Sequence, residues 1–406
     1  MEPRTTDRSR LTSTLVTTRE AVRRLWRRLR HQGRVAVLLG VCLAGFDEAL
    51  VHPLSARADE PSPVSSRSSM DSWEWWNPLT WHPTDEEIQK YRRSWNPMSH
   101  GPILNTGIDI SPKGQFLLQP FLFGEVAHEM YTNKFGTDSV NSPVHLRGAL
   151  APTAIFVYGI TDHDEINIAP SWLYFNADKT DPKTGKQTFI QGDGPGDTTI
   201  YVKHRFTVQD PDSWRPTFTV YNGVTLPTSQ WFATTGIPGG FSPLGRLPGT
   251  KLGGLSFTEG LMWRKNINPF RFNAAVYYSY TAPGTAGPQT GYNGDIINTR
   301  FIMEYVANEK NGLVFATEFL TLHGLDWRLD GHQINLVQPN GNATFNLIGV
   351  QPTVEYKLWH DPEGGGAWVV AAGCLFSIAG QNDFNAIYPN FSMYYFFPRK
   401  GGVFMR

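Results

Sequence analysis

The sequence predicts an all-β protein: a single antiparallel transmembrane β-barrel of about 12 strands, preceded by one short helix. Three observations carry this expectation. Beyond residue 103 apolar and polar side chains alternate with a period of two. The connections between the alternating segments are short and long in turn, as in barrels with short turns on one side and longer loops on the other. Tyr, Trp and Phe gather toward the segment ends, where a membrane interface would hold them. Of 406 residues, 40% are hydrophobic, 13% aromatic and only 18% charged, which excludes a disordered chain. The longest clean apolar run, Val35 to Phe46, is too short for a membrane helix, which needs about 20 residues. A formal net charge of zero leaves no basic footprint for nucleic acid. Two cysteines, Cys42 and Cys374, make neither a disulfide framework nor a zinc site.

Residues 1–58 read as a targeting segment. They hold 11 Arg, no Lys and 5 acidic residues. The basic stretch Arg19 to Arg34 is followed by the apolar run and then by Ser55-Ala56-Arg57-Ala58, a small-residue cleavage pattern. The long basic region and the acidic Asp47-Glu48 are unusual for a secretory signal, and the competing reading is a basic amphipathic helix that is retained. Removal of 1–58 would leave 25 basic and 31 acidic residues and the single Cys374.

Residues 59–103 form a Ser/Pro-rich leader and a Trp-rich segment with one helix. Thr84 with Glu87 makes a capping box. Asp85, Glu86 and Glu87 in the first turn and Lys90, Arg92 and Arg93 in the last suit the helix dipole, and Asn96-Pro97 ends it. The segment 73–97 has three readings: a plug on the periplasmic side, an interfacial helix, or a partner-binding element.

Residues 104–406 are the expected barrel. Phe270, Phe272, Ala274, Val276, Tyr278 and Tyr280 share one face of a strand, with Arg271, Asn273, Ala275, Tyr277 and Ser279 opposite. Segments 166–174, 297–305 and 387–397 behave alike, and twelve strands are expected to start near 115, 147, 165, 198, 215, 254, 270, 296, 312, 344, 366 and 386. Short connections lie at 162–164, 210–213, 266–269, 308–311 and 360–363, and long ones at 130–145, 177–196, 229–253, 283–294 and 326–342. In lipid every backbone edge must pair, and closure is how a sheet achieves this.

Tyr158-Gly159-Ile160-Thr161-Asp162-His163-Asp164-Glu165-Ile166, then Gly196-Asp197 opening a strand with Lys203-His204-Arg205-Phe206, then a strand ending Leu226-Pro227-Thr228, form an ordered set. This set resembles the outer-membrane family named for the meta-pathway of phenol degradation, over roughly 104–397. The resemblance implies a porin-like barrel of a Gram-negative outer membrane that passes small hydrophobic or aromatic molecules. Two departures stand out: Ser229 replaces the usual Gly after Pro-Thr, and Phe397 is followed by Pro398 to Arg406 instead of ending the chain.

Charged residues facing lipid at mid-depth cost about 2–4 kcal/mol each. Glu125, Lys203, Arg205, Arg300, Glu304, Glu318, Glu355 and Lys357 are therefore expected to line the pore, either as a selective constriction or as ion pairs bracing the wall, and to pair across the lumen. Asp162-His163-Asp164-Glu165 reads as a polar turn in preference to a metal site, and Cys374 as lipid-facing. No His-x-Ser occurs, so transport is expected in preference to catalysis, with no catalytic residue, metal or cofactor. The alternatives are a structural barrel without transport and an outer-membrane lipid hydrolase. Expected partners are outer-membrane lipid, the barrel-assembly machinery and a small-molecule solute, with no nucleic acid.

Overall fold

The computed structural model describes residues 74–398 apart from 75–76, 78–79, 96–102, 106, 182–183, 230–254, 287–288, 293, 326–327, 334–343 and 362–364. The expected targeting segment 1–58, the indoles of Trp73, Trp75 and Trp76, the helix stop at Asn96-Pro97 and Phe404 lie outside the described residues. In the unit ending at Trp81, Glu74 is tied to Thr80 and Trp81 in a local turn. Among the described residues no helix is long and apolar enough to cross a membrane.

In the unit from His82 onward, the helix α1 (Asp85–Arg93) forms where the capping box predicts it. Thr84 accepts the Glu87 N–H, and the Glu87 carboxylate accepts the Thr84 N–H at 3.0 Å. The wall then runs through β1 (Phe116–Tyr131), β2 (Ser139–Gly159), β3 (Asp164–Ala169), β4 (Trp172–Thr180), β5 (Gln187–Pro195), β6 (Thr198–Thr207), β7 (Thr217–Leu226), β8 (Ser256–Ile267) and β9 (Phe270–Thr281). After β10 (Gly284–Ala286) and β11 (Gln289–Tyr292) it continues through β12 (Ile296–Asn308) and β13 (Leu313–Gly324). Beyond β14 (Arg328–Leu329) and β15 (His332–Gln333) come β16 (Phe345–His360), β17 (Ala367–Gln381) and β18 (Phe384–Phe396). β1 pairs with β2 on one side and β18 on the other, so the antiparallel sheet closes. β3 and β4 are two halves of one wall strand and β5 and β6 two halves of another, giving a barrel of 12 strands. β10, β11, β14 and β15 form a separate small sheet in two of the long connections.

The two split strands break side by side for local reasons. Pro170 has no N–H to give the ladder. Beside it, a Cβ on Gly196 would lie 2.2 Å from the Ser171 hydroxyl, which would have to turn away from its bond to Asp197 O. Two connections expected to be long loops, 130–145 and 177–196, are mostly strand: β1 reaches Tyr131, β2 starts at Ser139, and β4 and β5 pair up to Thr180↔Gln187. The apolar–polar alternation stops there while the hydrogen-bond ladder continues, so the side-chain pattern understates the strand length.

The period-two pattern sorts the wall. Leu122, Leu150, Leu261, Phe301, Phe319 and Phe391 face outward and are exposed. At the short-connection end an aromatic cluster covers the outer face, with Phe270 against Tyr305 and Tyr395 between Trp368 and Phe397. Cys374 lies on this outward face of β17, in register with Pro389. The departing C-terminus remains part of the closure: the Phe397 N–H donates to Phe116 O at 3.1 Å, and Gln115 donates to Phe397 O at 2.8 Å.

Candidate functional site

The interior has two tiers. The tier toward the short connections is filled by chain. Residues 103–105 and 107–115, which precede β1, lie inside the wall and are held by inward side chains. Glu318 accepts the N–H groups of Ile103 (3.2 Å) and Leu104 (2.9 Å). Thr219 donates to Ile108 O at 2.9 Å, and Arg205 to Ile110 O at 3.0 Å. Lys203 donates to the carbonyls of Gly107 and Asp109, and Arg264 pairs with the Asp109 carboxylate. Glu165 accepts the Ser111 N–H at 2.7 Å.

The turn motif of the resemblance is where this segment enters. A Cβ on Gly159 would sit 2.1 Å from Pro112 O, so the missing side chain is the space the segment occupies. Gly159 bonds Gly114 and Gln115 through its backbone, and Asp162 accepts the Lys113 N–H at 3.0 Å. The second motif closes a different corner. Ser229 donates both its N–H (3.1 Å) and its hydroxyl to the Asp197 carboxylate, and Thr228 donates to Gly196 O at 2.7 Å. The serine that departs from the usual glycine thus adds one bond to this corner.

α1 lies across the same end of the barrel. Ile88 and Tyr91 are buried with Val208, and the Tyr91 hydroxyl donates to Asp109 at 2.6 Å. Arg92 pairs with Asp162 (2.9 Å), Arg215 with Glu87 (2.7 Å), and Lys90 with Asp210 (2.9 Å) and Asp212 (2.8 Å). The expected polar turn divides its charges among these roles. Asp162 faces the helix, Glu165 the lumen, and Asp164 accepts from Thr161 and meets His204 Nδ1 at 2.7 Å. Among the described residues no group of three or more His, Cys, Asp or Glu could hold a metal. Burial, with help from His82, His204 and Arg205 and against Asp164, holds the His163 imidazole down to about 4, and His163 stacks on His82 at 4.2 Å. Asp162 stays below the usual carboxylate range. Burial opposes this, and the Lys113 N–H and Arg92 outweigh it.

The structure brings most of the expected site residues into this filled tier. Glu304 accepts from Arg271 and Asn273, both at 2.6 Å, and Arg271 also lies 3.5 Å from Glu355. Lys203 pairs with Glu165 at 2.7 Å. Lys357, two residues beyond Glu355 on β16, is half-buried. Pairing across the lumen is corrected in two cases. Lys203 and Glu165, like Arg271 and Glu304, are direct neighbours on adjacent strands. The Arg205 guanidinium donates to the carbonyl of Ile110 on the inserted segment, with the Asp109 and Glu165 carboxylates attracting it from nearby, and not to an acid across the lumen. Glu165, Arg264 and Arg271 were absent from the expected set, although alternation places Arg271 opposite the Phe270–Tyr280 face and Arg264 next to the outward Trp263.

Arg300 and Glu125 belong to the other tier. There a cavity of about 190 Å³ opens toward the long connections. Its wall is mainly apolar: Phe121, Phe123, Leu320, Leu347, Leu375 and Phe384, with Leu104 from the lumen segment as floor. Its polar members are Asn105, Gln119, Glu125, Arg300, Asp383 and Tyr388. The Arg300 guanidinium lies 5.1 Å above the Tyr277 ring and donates to Asn298 at 3.2 Å.

No protein-family model and no characterised protein sequence matches the chain. Solved structures do. The chain resembles an outer membrane channel from Pseudomonas putida F1 at 11% identity and a TM-score of 0.52, over 71% of this chain and 98% of the other. That likeness extends to the fold. A FadL homologue of Pseudomonas aeruginosa (8% identity, TM-score 0.34, 71% and 91% coverage) and the toluene transporter TbuX of Ralstonia pickettii (12%, 0.34, 70% and 90%) are more distant.

Proposed function

We propose that this chain is an outer-membrane channel for small hydrophobic molecules, with its long connections outside the cell and α1 on the periplasmic side. The observation that carries the reading is the apolar cavity inside a closed barrel whose outer face is also apolar. A structural barrel would fill its interior with side chains, and a water-filled pore would line it with polar ones. Here the outer tier encloses a mainly apolar cavity, and the inner tier is polar and filled by residues 103–105 and 107–115. The order of motifs that resembles the phenol-degradation family supports the same reading, since both motifs have structural work: one anchors the lumen segment and the other ties a corner of the wall.

In this reading outer-membrane lipid covers the apolar band, the aromatic cluster with Phe397 meets the barrel-assembly machinery during insertion, and no group acts as a catalyst. The eight interior charges divide their roles. Glu125 and Arg300 line the solute's entry, while Lys203, Arg205, Glu304, Glu318, Glu355 and Lys357 belong to the tier that holds or surrounds the lumen segment.

The filled inner tier favours one competing reading, a barrel that does not transport. Uptake by liposomes decides between them. Vesicles carrying the purified protein are expected to accumulate a single-ring aromatic solute faster than protein-free vesicles, and equal rates would overturn the channel reading.

A further inference from the structure

Among the described residues Trp214 is the most exposed large apolar side chain, at 84%, and the next, Leu358, is at 55%. The exposed tryptophans of the wall strands, Trp172, Trp359 and Trp368, reach only 48%, 47% and 41%. Trp214 stands clear of the wall, on the turn between β6 and β7. That turn is tied down from below. The Lys265 ammonium donates to the carbonyls of Asp210 (3.2 Å), Ser213 (2.7 Å) and Arg215 (3.3 Å), which uses all three of its donors. Gln209, at the start of the turn, exchanges two bonds with the Asn266 backbone, at 2.6 and 3.0 Å. A fixed turn that holds an indole out in water gains nothing from its burial within the chain. It is pre-organised to meet something else.

Trp214 lines a cleft of about 330 Å³ together with Trp95, which follows α1, and with Pro211, Ile267 and Asn268. We propose that this cleft binds a neutral pyranose ring of a glycan, stacked on Trp214. The proposal goes beyond the channel reading and takes from it only that this end faces the periplasm, where the glycan of the cell wall is within reach. Shape sets the class. A pyranose has a flat face of C–H groups, which suits an exposed indole, and a rim of hydroxyls. Hydrogen-bond capacity suits the rim. Among the described residues neither indole N–H has an acceptor, and the Asn268 amide, a donor and an acceptor, has no partner. Charge excludes the ionic ligands. Lys265 is the one charged residue of the lining, and its ammonium is spent on carbonyls, so nothing in the cleft meets the phosphate of a lipid headgroup. Size fits as well: a cavity of about 150 Å³ takes a benzene molecule, so about 330 Å³ takes one ring with its substituents.

Calorimetric titration of the full-length protein in detergent with chitotriose, a neutral trimer of N-acetylated pyranose rings, tests this. Chitotriose is expected to bind with a Kd of about 1 mM or below. Trp214→Ala is expected to weaken binding about ten-fold, and Trp95→Ala about three-fold. Trp172→Ala, which removes a tryptophan of the wall, is expected to leave it unchanged. Trp214 is so exposed that its removal spares the fold, which keeps the test informative if Trp95→Ala undocks α1. Absence of chitotriose binding would overturn the proposal, as would binding that survives the loss of both indoles. A Trp214→Ala variant that binds chitotriose normally and loses only stability in lipid vesicles would overturn it too, by making Trp214 an interfacial anchor. Liposome uptake judges the channel reading separately, since chitotriose titration reads binding and not passage.

Discussion

Arg271 shows how tightly single residues are bound into this interior. It has no exposed surface, and it faces Glu304 at 2.6 Å and Glu355 at 3.5 Å. Desolvating such a cluster costs several kcal/mol per ion, so the pairing leaves little net gain, but removing one member strands the others. Arg271→Met is therefore expected to destabilise the barrel by about 3–5 kcal/mol. Adding Glu304→Gln should recover part of the loss. Urea unfolding in lipid vesicles measures both, and a single variant as stable as the unaltered protein would show that the two carboxyls do not depend on Arg271. Arg205→Ala differs in kind. It removes a bond to the Ile110 carbonyl and an attraction to Asp109, which keeps its pairing with Arg264, so it should loosen residues 107–111 without leaving an unpaired carboxylate.

At the scale of elements, the lumen segment depends on one position that has no side chain. Gly159→Ala places a methyl group 2.1 Å from Pro112 O and 2.4 Å from Ser111 O, both backbone atoms that cannot rotate away. The expected result is displacement of residues 111–115, with a loss of about 1–3 kcal/mol from overpacking. Faster hydrogen exchange at Gly114 and Gln115 would record it, and unchanged protection would mean that the wall yields instead. α1 responds to pH. The folded His163 titrates near 4, below the value of about 6.5 for an unfolded imidazole, so the unfolded form binds more protons between these values. Stability of the docked helix is then complete above about pH 6.5 and falls with acidification toward pH 4. The groups facing His163 are His82, Asp164, His204 and Arg205. Exchange protection of α1 followed from pH 7 to pH 4 should decline, and His163→Gln should flatten the profile.

The elements also differ in how far they could be read in advance. The twelve strands announce themselves because an apolar outward face and a lumen-facing side impose a period of two on each. The helix announces itself through Thr84 and Glu87. Residues 103–105 and 107–115 do not. The contacts that place them come from elsewhere in the chain, among them Tyr91, Gly159, Asp162, Glu165, Lys203, Arg205, Thr219, Arg264 and Glu318. For the same reason the partner of Arg205 was out of reach: parity gives the direction of a side chain, but a backbone carbonyl on a distant segment leaves no mark in the sequence.

For the whole molecule, the outward face decides whether the barrel sits in lipid. Leu261, halfway along β8, is 50% exposed between neighbours that are themselves apolar, whereas Trp359 lies near the short-connection end of β16 and is 47% exposed. Exposure alone does not separate them; depth does. In a bilayer an arginine at mid-depth costs about 2–4 kcal/mol, falling to about 0–1 kcal/mol near the interface. Leu261→Arg is therefore expected to lower folding stability in vesicles well beyond Trp359→Arg, although the two positions meet solvent equally in the isolated chain. Thicker bilayers should leave the order unchanged, because Leu261 stays central. Equal costs for the two substitutions would mean that the apolar band does not contact hydrocarbon, and the closed barrel would then need another explanation for an exterior covered in Leu, Phe and Trp.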